Sequence, residues 1–234
     1  MGRVAQPFRA ALGRVAQPFR AAFIATCFFA TIAAAQSAVD AQLHKEALPS
    51  EIPSSVATLL APGGARAKVG AVVLDFWWVK ALPLAGGSGE ASWNAVEEGS
   101  LVGAVRLSAD FRDIRGRILK QGPYTLRFGV QPDNGDHLGT SPFREFLLLL
   151  PAALDTDPAP RGHQGSIDIS KLAVGGSHPA VWSIDPPSTT DAVLAPHTTE
   201  LGHRAVLMEV PVVRDGKPAG TLRFGVVLVG RIDA

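Results

Sequence analysis

Two stretches of the chain alternate apolar and polar residues with a period of two. Tyr124, Leu126, Phe128 and Val130 share one face, with Thr125 and Arg127 opposite. Leu222, Phe224, Val226 and Leu228 repeat the arrangement, with Thr221 and Arg223 opposite. Such alternation marks strands with one buried face. The hexapeptide TLRFGV occurs in both, at 125–130 and 221–226, and its flanks do not align further. Convergence on one well-patterned strand explains this better than a duplicated half-domain. Other segments rich in Val, Leu, Phe and Trp are bounded by Gly, Pro, Asp and Asn. The whole set predicts strands at 68–80, 101–108, 111–119, 123–131, 143–150, 179–184, 204–213 and 219–229. Asp215-Gly216, between the last two, is a hairpin signal.

Helical signals are few. Positions 53–61 read as a short helix with Pro53 in its first turn, and 166–174 as one or two helical turns. The stretch 84–92 reads as a flexible loop, and 155–165 as a long, turn-rich connection. Residues 36–66 read as an N-terminal arm, loose over 36–50, and 67–234 as a single domain. Short antiparallel strands with one polar face predict an all-β, mainly antiparallel fold. The expected form is an Ig-like or jelly-roll-like β-sandwich with a few short helical turns, with a barrel as the alternative.

The first 35 residues differ from the rest. Residues 1–20 are polar and cationic, 21–35 are continuously apolar, and Ala33-Ala34-Ala35 closes the segment with small side chains. These are the three parts of a secretory signal peptide, with cleavage expected after Ala35. The apolar run is shorter than the roughly 20 residues of a spanning helix. No stable membrane insertion is therefore expected after cleavage, and the product belongs in the periplasm or outside the cell. The segment also carries a duplication, GRVAQPFRAA at 2–11 and 13–22. Pro7 and Pro18 interrupt any helix it might form.

Charge and cysteine content narrow the function classes. Arg3, Arg9, Arg14 and Arg20 are the only basic residues of the leader. Without them 18 Lys+Arg face 21 Asp+Glu, a net charge of −3. No basic stripe remains to neutralise phosphates, so nucleic acid is not an expected partner. The single cysteine, Cys27, lies in the leader. The mature domain is cysteine-free, which excludes a disulfide, a thiolate zinc site and a cysteine nucleophile. No G-x-S-x-G elbow, H-E-x-x-H, P-loop or dinucleotide fingerprint occurs.

Two clusters carry candidate chemistry. In the loop Pro132-Asp133-Asn134-Gly135-Asp136-His137, the side chains of Asp133, Asn134 and Asp136 offer hard oxygens, the raw material of a Ca²⁺ site. The plain alternative is a turn shaped by Asn134-Gly135. Asp136, His137 and Arg144 are also candidate ligand-binding residues. In the segment Asp75-Phe76-Trp77-Trp78, Phe76 and Trp78 share the core face, and Asp75 and Trp77 point the other way. A Trp beside a carboxylate on an outer sheet face resembles a sugar-stacking platform. A central strand covered on both sides gives the same pattern. Arg112, Arg115, Arg117, Arg127 and Arg144, with Asp110, Asp113 and Glu145 among them, read as cross-strand ion pairs on a solvated face. The histidines between 137 and 197 fall in predicted loops that can converge at one end of a sandwich.

Residues 122–150, GPYTLRFGVQPDNGDHLGTSPFREFLLLL, resemble a family of uncharacterised exported bacterial proteins. The shared pattern is G-x-Y-T-L-R, a Pro, G-D-H-x-G, then Arg and a run of leucines. It falls here on Gly122, Tyr124 to Arg127, Pro132, Gly135 to His137, Gly139, Arg144 and Leu147 to Leu150. The resemblance implies an exported β fold and carries no activity. The expected function is a non-enzymatic binding or interaction module of the cell envelope, for a small molecule, a glycan or a protein. A metal-dependent or hydrolytic enzyme assembled from loops is the alternative.

Overall fold

The computed structural model describes Gly2 and residues 38–132, 143–186 and 192–230. The leader, with Cys27, the duplication and the expected cleavage site, lies outside the described residues. The fold is all-β and mainly antiparallel. Its strands are β1 (Val39–His44), β2 (Gly64–Val69), β3 (Val72–Trp78), β4 (Leu82–Leu84), β5 (Leu101–Leu107), β6 (Phe111–Arg112) and β7 (Ile118–Leu119). They continue with β8 (Gly122–Val130), β9 (Glu145–Pro151), β10 (Val181–Asp185), β11 (Pro196–Thr198), β12 (Arg204–Arg214) and β13 (Lys217–Val229). Two helices, α1 (Ser54–Ala57) and α2 (His163–Val174), complete the set. Among the described residues no helix is long and apolar enough to cross a membrane.

The large sheet runs β1-β2-β3-β5-β8-β9-β10-β13-β12-β11, and β4 joins β12 in parallel. Its turning point is β10. Val181–Ser183 pair with β9, and Ile184 and Asp185 pair with β13. A strand that passes from one sheet to the next is how a sandwich turns its corner. The sheet curls there, and side chains of the two halves meet. Trp78 of β3 stands edge-on to Phe224 of β13 at 5.2 Å, and Phe76 lies 5.6 Å from Trp182. Leu126, Phe128, Leu222 and Phe224 are all buried in this core. The two halves of the repeated hexapeptide are bridged by Trp93, stacked on Phe128 at 5.0 Å and edge-on to Phe224 at 5.1 Å.

The continuous apolar run of β9 has a simple cause. Leu147 and Leu149 face the main core, while Leu148 and Leu150 join Val181, Ile167 and Ile169 beneath α2. The strand is therefore covered on both faces. Ser166, Ser170 and Ala173 are the small, buried residues on which α2 meets the sheet. Ser170 Oγ donates to Ala180 O at 2.9 Å and accepts from Ala180 N at 3.0 Å.

The structure departs from the sequence-based expectations at several places, among them β4 and β11, where no strand was expected. The strand expected at 68–80 is two strands, because the chain reverses at Gly70, which sits at φ 58°. The strand expected at 111–119 is the small β6–β7 hairpin. Asp113 Oδ1 accepts from the backbone N–H groups of Arg115 (3.0 Å) and Arg117 (2.8 Å) and so builds a turn inside the segment. The arm expected to be loose contains β1, an edge strand paired with β2, whose alternation is obscured by its exposed side chains. Helix α2 begins three residues earlier than expected and has no side-chain cap at Gly162 to announce it. The Asp215-Gly216 hairpin forms as expected, with both residues at positive φ (50° and 72°).

Candidate functional site

The aromatic segment of β3 is closed to ligands. Trp77 is 0% and Asp75 2% exposed. Three neighbours cover the indole: His44 lies edge-on at 5.0 Å, Glu46 O accepts its N–H at 3.1 Å, and the Arg106 guanidinium carbon sits 5.8 Å from the ring centre. Asp75 is held by its cross-strand neighbours Arg66 (2.6 Å) and Arg106 (2.7 Å). Burial pushes its carboxyl upward, but the hydrogen bonds from Arg66 and Arg106 outweigh it and hold the group below the usual carboxylate range. The sugar-stacking platform is thus corrected to the alternative reading, a strand covered on both sides.

Asp133, Asn134, Asp136 and His137 lie outside the described residues. The stems of their loop do not. Gln131 N donates to Arg144 O at 2.8 Å, and the Arg144 side chain donates back to Gln131 O through Nε (3.1 Å) and Nη2 (2.8 Å). In these contacts Arg144 braces the base of the loop. Among the described residues no three His, Cys, Asp or Glu side chains come together as a metal site.

The expectation of ion pairs on a solvated face fails at Arg127, which is fully buried. Its Nε and Nη2 bond both oxygens of buried Asp155, at 2.7 and 2.9 Å. Nη1 donates to Gly99 O and Ala159 O, both at 2.7 Å, and Nη2 also reaches Asp157 O. Asp155 accepts further from Thr125 Oγ1 (2.6 Å) and Arg161 Nε (2.9 Å). All five guanidinium protons are used, which is the condition for a buried ion pair to be tolerated. Gly99 makes the close approach possible: a Cβ there would lie 1.5 Å from Arg161 O. This cluster is structural. It fastens the 155–161 connection across the outer face of β8.

An open cleft lies beside that fastening, where α2 passes over β9 and β10. It has a volume of about 220 Å³. Phe146, Ile167, Val181 and Pro179 form apolar walls, and Ser177 and Ser183 supply hydroxyls. Phe143 and Glu145 form a rim shared with a more open hollow of about 470 Å³, which Trp93, Asn94 and Arg223 also line. The Trp93 indole N–H is buried there without a hydrogen-bond partner among the described residues. The cleft therefore combines apolar area with a few polar groups at the stems of the β8–β9 loop, as small-molecule sites do.

Five charged or titratable side chains line the cleft: Arg115, Glu145, His163, Lys171 and His178. His163 Nδ1 donates to Glu98 Oε1 at 2.6 Å, and Glu98 Oε1 also accepts from Val130 N at 3.1 Å. His178 lies across from it. The histidines expected to converge do so only in part: His197 is instead held by Asp185 at 3.1 Å. Arg115 is half-buried and makes no hydrogen bond or ion pair through its side chain among the described residues. Burial, and then the like charge of Arg117, lower its pKa, with Asp113 opposing them. Sequence reasoning grouped Arg115 with ordinary ion pairs. The overlooked signal was Asp113-x-x-Gly116, a turn that points the intervening arginine away from its carboxylate. Protein-family models, curated proteins and solved structures give no match to this chain.

Proposed function

We propose that this protein is an exported binding module, periplasmic or extracellular, that takes a small molecule in the cleft between α2 and the β9–β10 face. The observation that carries the reading is the cleft's composition: apolar walls, hydroxyls, and a guanidinium that makes no hydrogen bond or ion pair among the described residues, on rigid strands and a pinned turn. Loops and clefts carried on a rigid sheet are where binding groups usually sit. No described hydroxyl hydrogen-bonds His163 or His178, so a nucleophile–base pair is not assembled among the described residues.

A thermal-shift panel of sugars, organic acids, amines, apolar compounds and Ca²⁺ tests it. Ca²⁺ belongs in the panel because of Asp133, Asn134 and Asp136. A ligand at 100 times its Kd stabilises by about 2.7 kcal/mol. At least one organic class is expected to raise Tm, and Ile167→Trp, which fills the cleft, is expected to abolish the rise. No shift from any member, or a shift untouched by Ile167→Trp, overturns the reading.

One observation favours a hydrolase instead. A histidine oriented through Nδ1 by a carboxylate is the arrangement of a general base, and His163 with Glu98 has it. Hydrolysis of a model ester that is lost in His163→Ala would support that alternative.

A further inference from the structure

We propose that Arg115 is the anchor of a site for a small monocarboxylate whose apolar body lies between α2 and strands β9 and β10. The inference rests on the binding-module reading above and names its ligand class.

The case begins with how Arg115 is held. Asp113 Oδ1 ties down the backbone N–H groups of Arg115 and Arg117. Ile114, between Asp113 and Arg115, is buried against Ala205 and Val227 on the outer face of β12 and β13. Arg117 Nη1 reaches Pro179 O at 3.3 Å. Turn residues 113–117 are therefore fixed at both ends and in the middle, so the guanidinium is carried on a rigid base. Such preorganisation reduces the entropy lost when a ligand is gripped.

The same turn leaves the Arg115 guanidinium without a hydrogen-bonded counter-ion among the described residues, although the Asp113 charge acts on it. One oxygen of Asp113 serves the backbone, and the other is buried without a hydrogen-bond partner among the described residues. Lys171, on the opposite wall, is engaged by Asp168 at 3.4 Å. A half-desolvated guanidinium with no acceptor among the described residues is unfavourable unless something supplies one. Elsewhere this chain shows what a satisfied buried arginine looks like: Arg127 has every proton placed.

The ligand class follows from shape and charge. A guanidinium fork matches a carboxylate in two parallel hydrogen bonds. Among the described residues Arg115 is the one arginine lining the cleft, so one carboxylate is served. Glu145 on the rim disfavours a second negative charge. Phe146, Ile167 and Val181 give the remainder of the ligand apolar contact. The volume of about 220 Å³ lies below the ~300 Å³ lower end for drug-sized ligands, so the body is a short chain or a single ring.

The test titrates hexanoate and benzoate into the protein, followed by calorimetry and amide shifts, with hexanol and inorganic phosphate as controls. Saturable binding of at least one carboxylate at millimolar concentration is expected, with shifts at Val181 and Ser183. Hexanol and phosphate are expected to bind at least tenfold more weakly. Arg115→Gln should lose at least tenfold in carboxylate affinity, and Arg115→Lys, which keeps the charge but not the fork, should fall between. Should Arg115→Gln fail to fold, the hexanoate-to-hexanol ratio in the parent protein decides alone. Equal affinity of hexanol and hexanoate, tighter binding of phosphate, or unchanged affinity in Arg115→Gln each overturns the proposal. Absence of carboxylate binding overturns it too. In that event a panel hit abolished by Ile167→Trp keeps the binding-module reading alive, whereas a panel with no hit removes both.

Discussion

Strands β8 and β13 carry the same six residues and live in different surroundings. Inward they are alike: Leu126 and Phe128 on one, Leu222 and Phe224 on the other, all buried and joined through Trp93. Outward they part. Thr125 and Arg127 are fully buried under the 155–161 connection, while Thr221 is exposed and Arg223 borders the open hollow. An identical local sequence therefore determines which side chains enter the core and leaves undetermined what covers the other face. That cover comes from residues far along the chain: Asp155 is 28 positions from Arg127. One outer face became a fastening, and the other borders the open hollow.

The comparison can be broken most forcefully from the inside. Phe128→Ala and Phe224→Ala should each cost about 3–5 kcal/mol of unfolding free energy by urea denaturation. The two losses should be similar, since the inward environments match. Because both rings touch Trp93, the double variant should depart from additivity by at least about 0.5 kcal/mol. Strongly unequal losses would break the inward equivalence.

Outward, the strands should respond unequally. Asp155→Ala leaves Arg127 buried without its carboxylate and should cost about 3–5 kcal/mol. Arg223→Ala, at a half-buried position, should cost less than Asp155→Ala. The hydroxyls repeat the contrast on a smaller scale. Thr125→Val removes a buried hydrogen bond to Asp155 and should cost about 1 kcal/mol, whereas Thr221→Val should change stability by less than about 0.5 kcal/mol. Equal effects within either pair would dissolve the distinction between locked and open faces.

A third outer face, that of β3, sharpens the comparison through pH. Asp75 has a folded-state pKa below its unfolded value. Its stabilisation is fully present above about pH 4 and is lost as pH falls through the lower folded value. Stability measured by urea titration should fall in that acid window, and Asp75→Asn should flatten the fall while lowering stability at neutral pH. An unchanged acid limb in the variant would contradict the Arg66–Asp75–Arg106 account.

What could be read from the sequence divides along the same line. Alternation showed the inward faces of β8 and β13, and Asp215-Gly216 showed the hairpin, because both signals are local. The apolar run of β9 announced burial on both faces without saying that α2 supplies one cover. Arg127 and Arg115 looked alike as strand-associated arginines. Only the fold separates them, by bringing Asp155 to one and turning Asp113 away from the other. Trp77 looked available for stacking because residues 44–46, which cover it, are polar and gave no sign of packing. His163 and His178 read as loop histidines, but His163 opens α2, whose start carries no capping signal, and both line the cleft.

The most direct test of the open cleft is amide hydrogen exchange of the protein with and without a ligand identified by the thermal-shift panel. Added protection is expected in segments 163–171 and 177–183 and in the first residues of β9, with β1 and β2 unchanged. Protection confined to the β1–β2 edge, or none anywhere at saturating ligand, would contradict the assignment of the cleft as the binding surface.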